Sequence, residues 1–95
     1  MTLEKILKVV VKVFKIPRDY IIGRYNSYNI TDARFAYYLL AKMFKLGTFK
    51  EIANYINRKD HTAAMNGIKQ SKNLINTDSD YKVKFYLCLN LLGVK

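Results

Sequence analysis

Only five residues of the 95-residue chain are strong breakers of regular structure, and four of them fall where a helix has to stop or start. Pro17, Gly23, Gly47 and Gly93 separate stretches whose apolar residues recur every three to four positions, and Gly67 alone lies inside such a stretch. Proline lacks an amide donor and glycine adopts backbone that other residues avoid. Breakers this scarce, at these places, mean uninterrupted helices joined by short turns. The pattern predicts a single all-α domain of six helices over residues 1–95, with no strands.

The first helix is expected from about Leu3 to Lys15, with Leu3, Ile6, Leu7, Val10, Val13 and Phe14 on one face and Lys5, Lys8, Lys12 and Lys15 on another. Pro17 ends it and opens a short helix, Arg18 to Ile22, closed by Gly23. Arg24 to Asn29 is polar, aromatic and unperiodic, which reads as a loop. Thr31 or Asp32 is expected to cap a long helix to Leu46 with Ala36, Leu39, Leu40 and Met43 as its apolar stripe. Arg34, Tyr38, Lys42 and Lys45 form a second stripe, and Gly47 takes the left-handed position after the helix end. Thr48 to Glu51 spell T-x-x-E, a capping box that opens a short helix to about Ile56. Asn57, Arg58 and Lys59 make a tight turn, and Asp60 caps a helix to roughly Ile75 with Ala64, Ile68, Ser71, Leu74 and Ile75 facing inward. Thr77 to Asp80 cap the last helix, Tyr81 to Leu92.

Charge narrows the class of partner. Seventeen Lys and Arg against seven Asp and Glu give +10, a self-repelling balance that suits a polyanion. Nucleic acid comes first, an anionic membrane surface along the lysines of the first helix second, and an acidic protein third. No stretch resembles a membrane span or a secretory leader. The one cysteine, Cys88, shares a helical face with Phe85, Leu89 and Leu92, so a buried core thiol in a reducing cytoplasm is expected. With one histidine and one cysteine, no nucleophilic triad, cysteine–histidine pair or zinc site can be assembled. No catalytic residue, metal ligand, cofactor or small-molecule substrate is expected.

The segment from Thr48 to Ile75 carries the chemistry. A short capped helix, a three-residue turn and a longer helix have the proportions of a helix-turn-helix, an outline that generic helical hairpins share. In such a motif the first residues of the second helix meet base edges. Asp60 can accept from a cytosine or adenine amino group, His61 can donate or accept, and the Thr62 methyl can pack on a thymine methyl. Asn66, Lys69 and Asn73 continue the same face. Each has a plainer role as well: Asp60 as an N-cap, His61 as a surface residue, the lysines as a solvated face.

Arg58-Lys59-Asp60-His61-Thr62-Ala63-Ala64 resembles the G-R-D-H-T-T-V signature of the C-terminal DNA-binding domain of the bacterial chromosomal replication initiator DnaA. The resemblance runs over about residues 3 to 92. It includes Ile21-Ile22-Gly23-Arg24, similar to L-L-G-K, then Ala33-Arg34 with Tyr38 to Lys42, and Phe49 to Ala53. It implies a Trp-repressor-like helical fold that lays its recognition helix in the major groove of double-stranded DNA. Base contacts would fall to Asp60, His61 and Thr62, and phosphate contacts to Arg34, Lys42, Thr48, Lys59, Asn66 and Lys69. The loop holding Arg24 and Asn26 would face the minor groove.

Two departures bear on what is read. Asn26 stands where the family places a minor-groove arginine, and Ala63 replaces the second threonine of D-H-T-T. No G-x-x-x-x-G-K-[ST] phosphate loop occurs in the chain. The expectation is a cytoplasmic, nucleoid-associated binder of duplex DNA, monomer or weak dimer. It would serve replication or transcription as an accessory or regulatory factor without ATPase activity. The alternative is a protein-interaction module that keeps the fold and has lost DNA reading.

Overall fold

A computed structural model describes residues 1–94. Six helices follow in chain order: α1 (Leu3–Phe14), α2 (Arg18–Ile22), α3 (Tyr28–Met43), α4 (Phe49–Tyr55), α5 (His61–Thr77) and α6 (Ser79–Leu91). There is no strand among the described residues.

The long helix α3 is the axle. Ile30, Ala33, Arg34, Ala36, Tyr37, Tyr38, Leu39, Leu40 and Ala41 are all buried, more than half of its length. A helix apolar around most of its circumference has to be surrounded, and α3 touches each of the other five helices. Against it α1 lays Ile6, Leu7, Val10 and Phe14, while Lys5, Lys8, Lys12 and Lys15 stay exposed. Phe85, Cys88, Leu89 and Leu92 of the C-terminal segment close the core from the other side, and burial pushes the Cys88 thiol up to about 12.

Polar atoms inside this core are paired. The Tyr37 hydroxyl donates to the Ile52 carbonyl at 2.8 Å, fixing α4 on α3, and the Ser71 and Tyr81 hydroxyls bond across α5 and α6. At the surface Glu4 of α1 takes both Arg18 of α2 and the Tyr55 hydroxyl of α4. Buried groups left unpaired would cost about 1–3 kcal/mol each.

Local signals set the helix ends. Thr2, Ser27, Thr48, Asp60 and Asp78 each place a side-chain oxygen on an amide of the first turn. The capping box at Thr48 is complete in both directions, Glu51 N to Thr48 Oγ1 at 3.1 Å and Thr48 N to Glu51 Oε1 at 2.9 Å. Hydrogen bonding from Thr48, its amide first and its side chain second, holds the Glu51 carboxyl below its usual range.

Four expectations need correction. The long helix begins at Tyr28 under a Ser27 cap, not at Thr31 or Asp32, because Ser27 supplies an acceptor for the Ile30 amide one turn earlier. It ends at Met43, three residues before Leu46. The left-handed residue after it is Lys45 (φ 56°), with Leu46 N returning to Ala41 O at 3.1 Å; Gly47, at φ 154°, lies beyond that closure. Arg34 and Tyr38 leave the polar stripe and are buried, whereas Lys42 and Lys45 of that stripe are exposed.

Gly67 had no role in the sequence pattern beyond weakening a helix. In the fold it lets α5 lie directly on α3: a Cβ at this position would stand 2.1 Å from Cδ2 of Tyr38. Gly67→Ala should therefore destabilise the domain by about 1–3 kcal/mol, the usual cost of overpacking, despite a helix-propensity gain of about 1 kcal/mol. Urea unfolding measures it, and a more stable variant would mean that the two helices part without cost.

Candidate nucleic-acid interface

The interface is built on two arginines that do not themselves reach solvent freely. Arg34, only 6% exposed, sends Nε to the Ile21 carbonyl and Nη2 to the carbonyls of Tyr20 and Gly23, all at 2.9 Å. Arg58 comes from the other side. Its Nη1 bonds Ile22 O at 3.0 Å and its Nη2 bonds Gly23 O at 2.6 Å. A five-residue helix leaves most of its C-terminal carbonyls without intrahelical partners, and these two guanidinium forks satisfy them. Burial lowers the Arg34 pKa, and the adjacent Arg58 charge lowers it further.

The clamp fixes the loop after α2 relative to the turn before α5. Asn57 takes left-handed backbone (φ 63°), which asparagine tolerates, and Arg58 N returns to Ala53 O at 2.9 Å to close α4. Arg24 and Asn26 of the loop then line an open cleft of about 520 Å³ together with Asn57, Arg58 and Lys59 of the turn.

The helix α5 starts at the rim of this cleft. Asp60 caps it, its Oδ1 accepting from Thr62 N at 2.9 Å. Hydrogen bonding from Thr62, side chain first and amide second, holds the Asp60 carboxyl below its usual range. His61 and Thr62 are exposed beside it, and His61 Nδ1 lies 3.6 Å from Asp60 Oδ1. Asn66, Lys69 and Asn73 extend the exposed face. At the neighbouring start of α4, Lys42 Nζ sits 4.4 Å from the centre of the Phe49 ring, close in sequence to the Thr48 cap. Among the described residues none of Arg24, Lys42, Lys59 and Lys69 is held in an ion pair.

A short helix capped by T-x-x-E, a left-handed turn and a second helix opening on Asp-His-Thr match one family over most of the chain. Its description is the bacterial dnaA protein helix-turn-helix, and residues 3–70 fit it. The chain belongs to this family. The chromosomal replication initiator protein DnaA of Nautilia profundicola is 30% identical over 95 residues, covering 100% of this chain and 22% of that protein. DnaA of Campylobacter jejuni serotype O:2 is 32% identical over the same span, again 22% of its length. DnaA of Campylobacter curvus is 33% identical over 84 residues, 88% of this chain and 19% of that protein. The chain thus spans about a fifth of the length of these curated DnaA relatives.

Within the DnaA-type fold the sequence-expected residues divide into two groups. Asp60, His61, Thr62, Lys59, Asn66 and Lys69 lie together along the start of α5 and its exposed face; Arg24 and Asn26 share the cleft with Lys59, and Lys42 and Thr48 gather at α4. Arg34 is the correction. Its guanidinium is committed to three carbonyls and, at 3.4 Å, to Asn26 Oδ1, which removes the phosphate contact expected of it. Asn26, at the family's arginine position, is thereby tied to the clamp.

Sequence reasoning missed two residues here. Arg58 was only the first letter of a motif; its signal, an arginine just after a helix end, does not say which carbonyls it will meet. Met65 is 46% exposed at i+4 from His61 and i−4 from Lys69, and that spacing alone could have put it on the face.

Arg34→Lys tests the clamp, since lysine keeps the charge and loses the fork. Unfolding without DNA should show a loss of about 2 kcal/mol or more, from carbonyls left unpaired. A Tm within a degree of wild type would mean that water replaces the guanidinium freely. Asp60→Ala tests the cap. Because the Asp60 carboxyl is depressed, its stabilisation is complete above the ordinary aspartate range and fades as pH falls through the depressed value. The Tm difference between wild type and Asp60→Ala should be largest near neutrality and shrink in strong acid, and a difference independent of pH would remove the charge from the account.

Proposed function

We propose that this chain binds double-stranded DNA with sequence preference, laying the start of α5 in the major groove, and that it serves replication or transcription as a DNA-reading accessory or regulatory module with no catalysis of its own. The observation that carries this is the exposed opening of α5. Its cap and first turn, Asp60, His61 and Thr62, project unencumbered beside a cleft rimmed by unpaired cations. The DnaA relatives are named as replication initiators, which supports DNA as the partner and replication as the setting.

Roles follow from chemistry. Asp60 keeps one carboxylate oxygen on its cap and offers the other to a cytosine or adenine amino group. The His61 imidazole donates or accepts at a neighbouring base, and the Thr62 methyl covers a thymine methyl. Lys59, Lys69 and Asn66 meet phosphates along the groove. Lys42 and the Thr48 hydroxyl meet the backbone at the start of α4, where the helix dipole also favours an anion. Arg24, with Asn26 behind it, faces the minor groove. With Arg34 withdrawn and Arg24 turned to the minor groove, three cations remain for phosphates: Lys42, Lys59 and Lys69.

Three such contacts give a slope of log K against log salt of about −3, from roughly −0.9 per phosphate neutralised. Lys42→Ala should weaken specific and non-specific duplexes alike and make that slope shallower by about one unit. Thr62→Ser keeps the hydroxyl and removes the methyl, so it should reduce preference at one base pair by no more than about 1–3 kcal/mol and spare background affinity. His61→Ala should likewise cost discrimination more than background. Selection from a random duplex pool identifies the site against which these changes are scored. A salt slope near zero would favour a protein-interaction role, and proportional losses in all three variants would leave a cationic surface that does not read.

A further inference from the structure

The longest run without a charged residue in this +10 chain is Phe85 to Val94, and it covers most of α6. Half of that helix is explained by the core, into which Tyr81, Phe85, Cys88 and Leu89 point. The other half is apolar too. Val83 (66% exposed), Leu87 (45%) and Leu91 (44%) form one i, i+4, i+8 ridge on the outward side. Tyr86, Asn90 and Val94 form a second ridge beside it. With Leu89 they line an open cleft of about 280 Å³. The DNA-facing residues of α4, α5 and the α2 loop include none of these.

We propose that this face of α6 pairs with the same face of a second copy of the chain, antiparallel, about a two-fold axis near Leu87. Ridges at i±4 spacing interdigitate in the commonest mode of helix packing. A two-fold lets each copy's Leu87–Leu91 ridge enter the other's Tyr86–Val94 cleft, as an isologous contact requires. Charge selects the direction. All the charges of α6, Asp80, Lys82 and Lys84, lie in its N-terminal half, where Lys84 pairs with Asp80 at 3.2 Å, and nothing charged follows until the chain end. Parallel pairing would set Lys82 against Lys82 and Asp80 against Asp80. Antiparallel pairing sets each charged half over the partner's uncharged C-terminal half, where the negative end of the helix dipole favours Lys82. The exposed apolar side chains amount to the order of 400–500 Å² per copy, in the range of functional surface patches. Doubled and rimmed by polar neighbours, that reaches about the lower limit of a specific interface, near 1,000 Å². The result is a weak, exchanging dimer, with Asn90 as a polar register mark on the seam.

Sedimentation of the chain without DNA tests this. The mass should rise with concentration from 11.1 kDa toward twice that value, and salt should strengthen association by screening the +10 charges, opposite to its effect on duplex binding. Leu87→Lys should weaken self-association roughly tenfold or more and leave helicity and single-site duplex affinity unchanged. Leu87→Cys should form an intermolecular disulfide under mild oxidation, whereas Asp80→Cys, about 20 Å from its mate in the antiparallel pair, should not. A wild type that stays at 11.1 kDa up to about 1 mM, equal association by Leu87→Lys, or faster cross-linking of Asp80→Cys would overturn the proposal. Loss of DNA binding with intact dimerisation would overturn only the DNA reading. A wild type that remains monomeric and binds phosphatidylcholine vesicles through Leu87 would assign the face to lipid instead.

Discussion

Everything at the candidate nucleic-acid face depends on how the last carbonyls of α2 are satisfied. A five-residue helix cannot do this for itself, and the chain brings two guanidinium groups to it, Arg34 from α3 and Arg58 from the turn before α5. They share Gly23 O as a common acceptor. Two cations so close repel, and the convergence of six carbonyl dipoles, Tyr20 to Gly23 with Ile56 and Asn57, offsets that repulsion. The arrangement fastens a loop and a turn that are far apart in the chain.

Rigidity matters for the proposed function, because reading bases would be a matter of fractions of an ångström. The α5 start is fixed at three points: the Asp60 cap, the Arg58 clamp behind it, and the contact of Gly67 with Tyr38 further along. No single one sets the direction of the helix. Together they present the first turn in one orientation before any ligand arrives, so little ordering remains to oppose binding. The two clamp arginines also add positive potential behind the cleft without needing to touch a phosphate.

Most of the fold was legible in the sequence because the information was local. The 3.6-residue period, Pro17, the T-x-x-E box and the Asp60 cap each act within one helical turn, and α1, α2, α4 and α5 begin where these signals put them. The misplaced start of α3 had a local cause as well: Ser27 was hidden in a run of polar and aromatic residues, Tyr25 to Tyr28, that lacks periodicity. Arg34 failed for a different reason. Exposure of an arginine is decided by what lies 11 to 14 residues away, here the carbonyls of Tyr20, Ile21 and Gly23, and a helical-stripe pattern carries no such information. The exposure of His61, Thr62 and Lys59 was legible because a helix start following a tight turn is exposed by construction. The outward face of α6 was invisible for the opposite reason: an apolar run reads as core on both sides.

Gly67 has a bearing on any attempt to exchange the exposed residues of α5. Positions 61, 62, 65, 66 and 69 are open to solvent or nearly so, and their side chains can be exchanged with little consequence for folding. Position 67, in their midst, admits no side chain while Tyr38 stands opposite. An α5 sequence with alanine or serine there would be lifted off α3, and its exposed residues would be displaced outward with it. Redesigning this helix therefore means exchanging positions 67 and 38 as one unit, or leaving both alone.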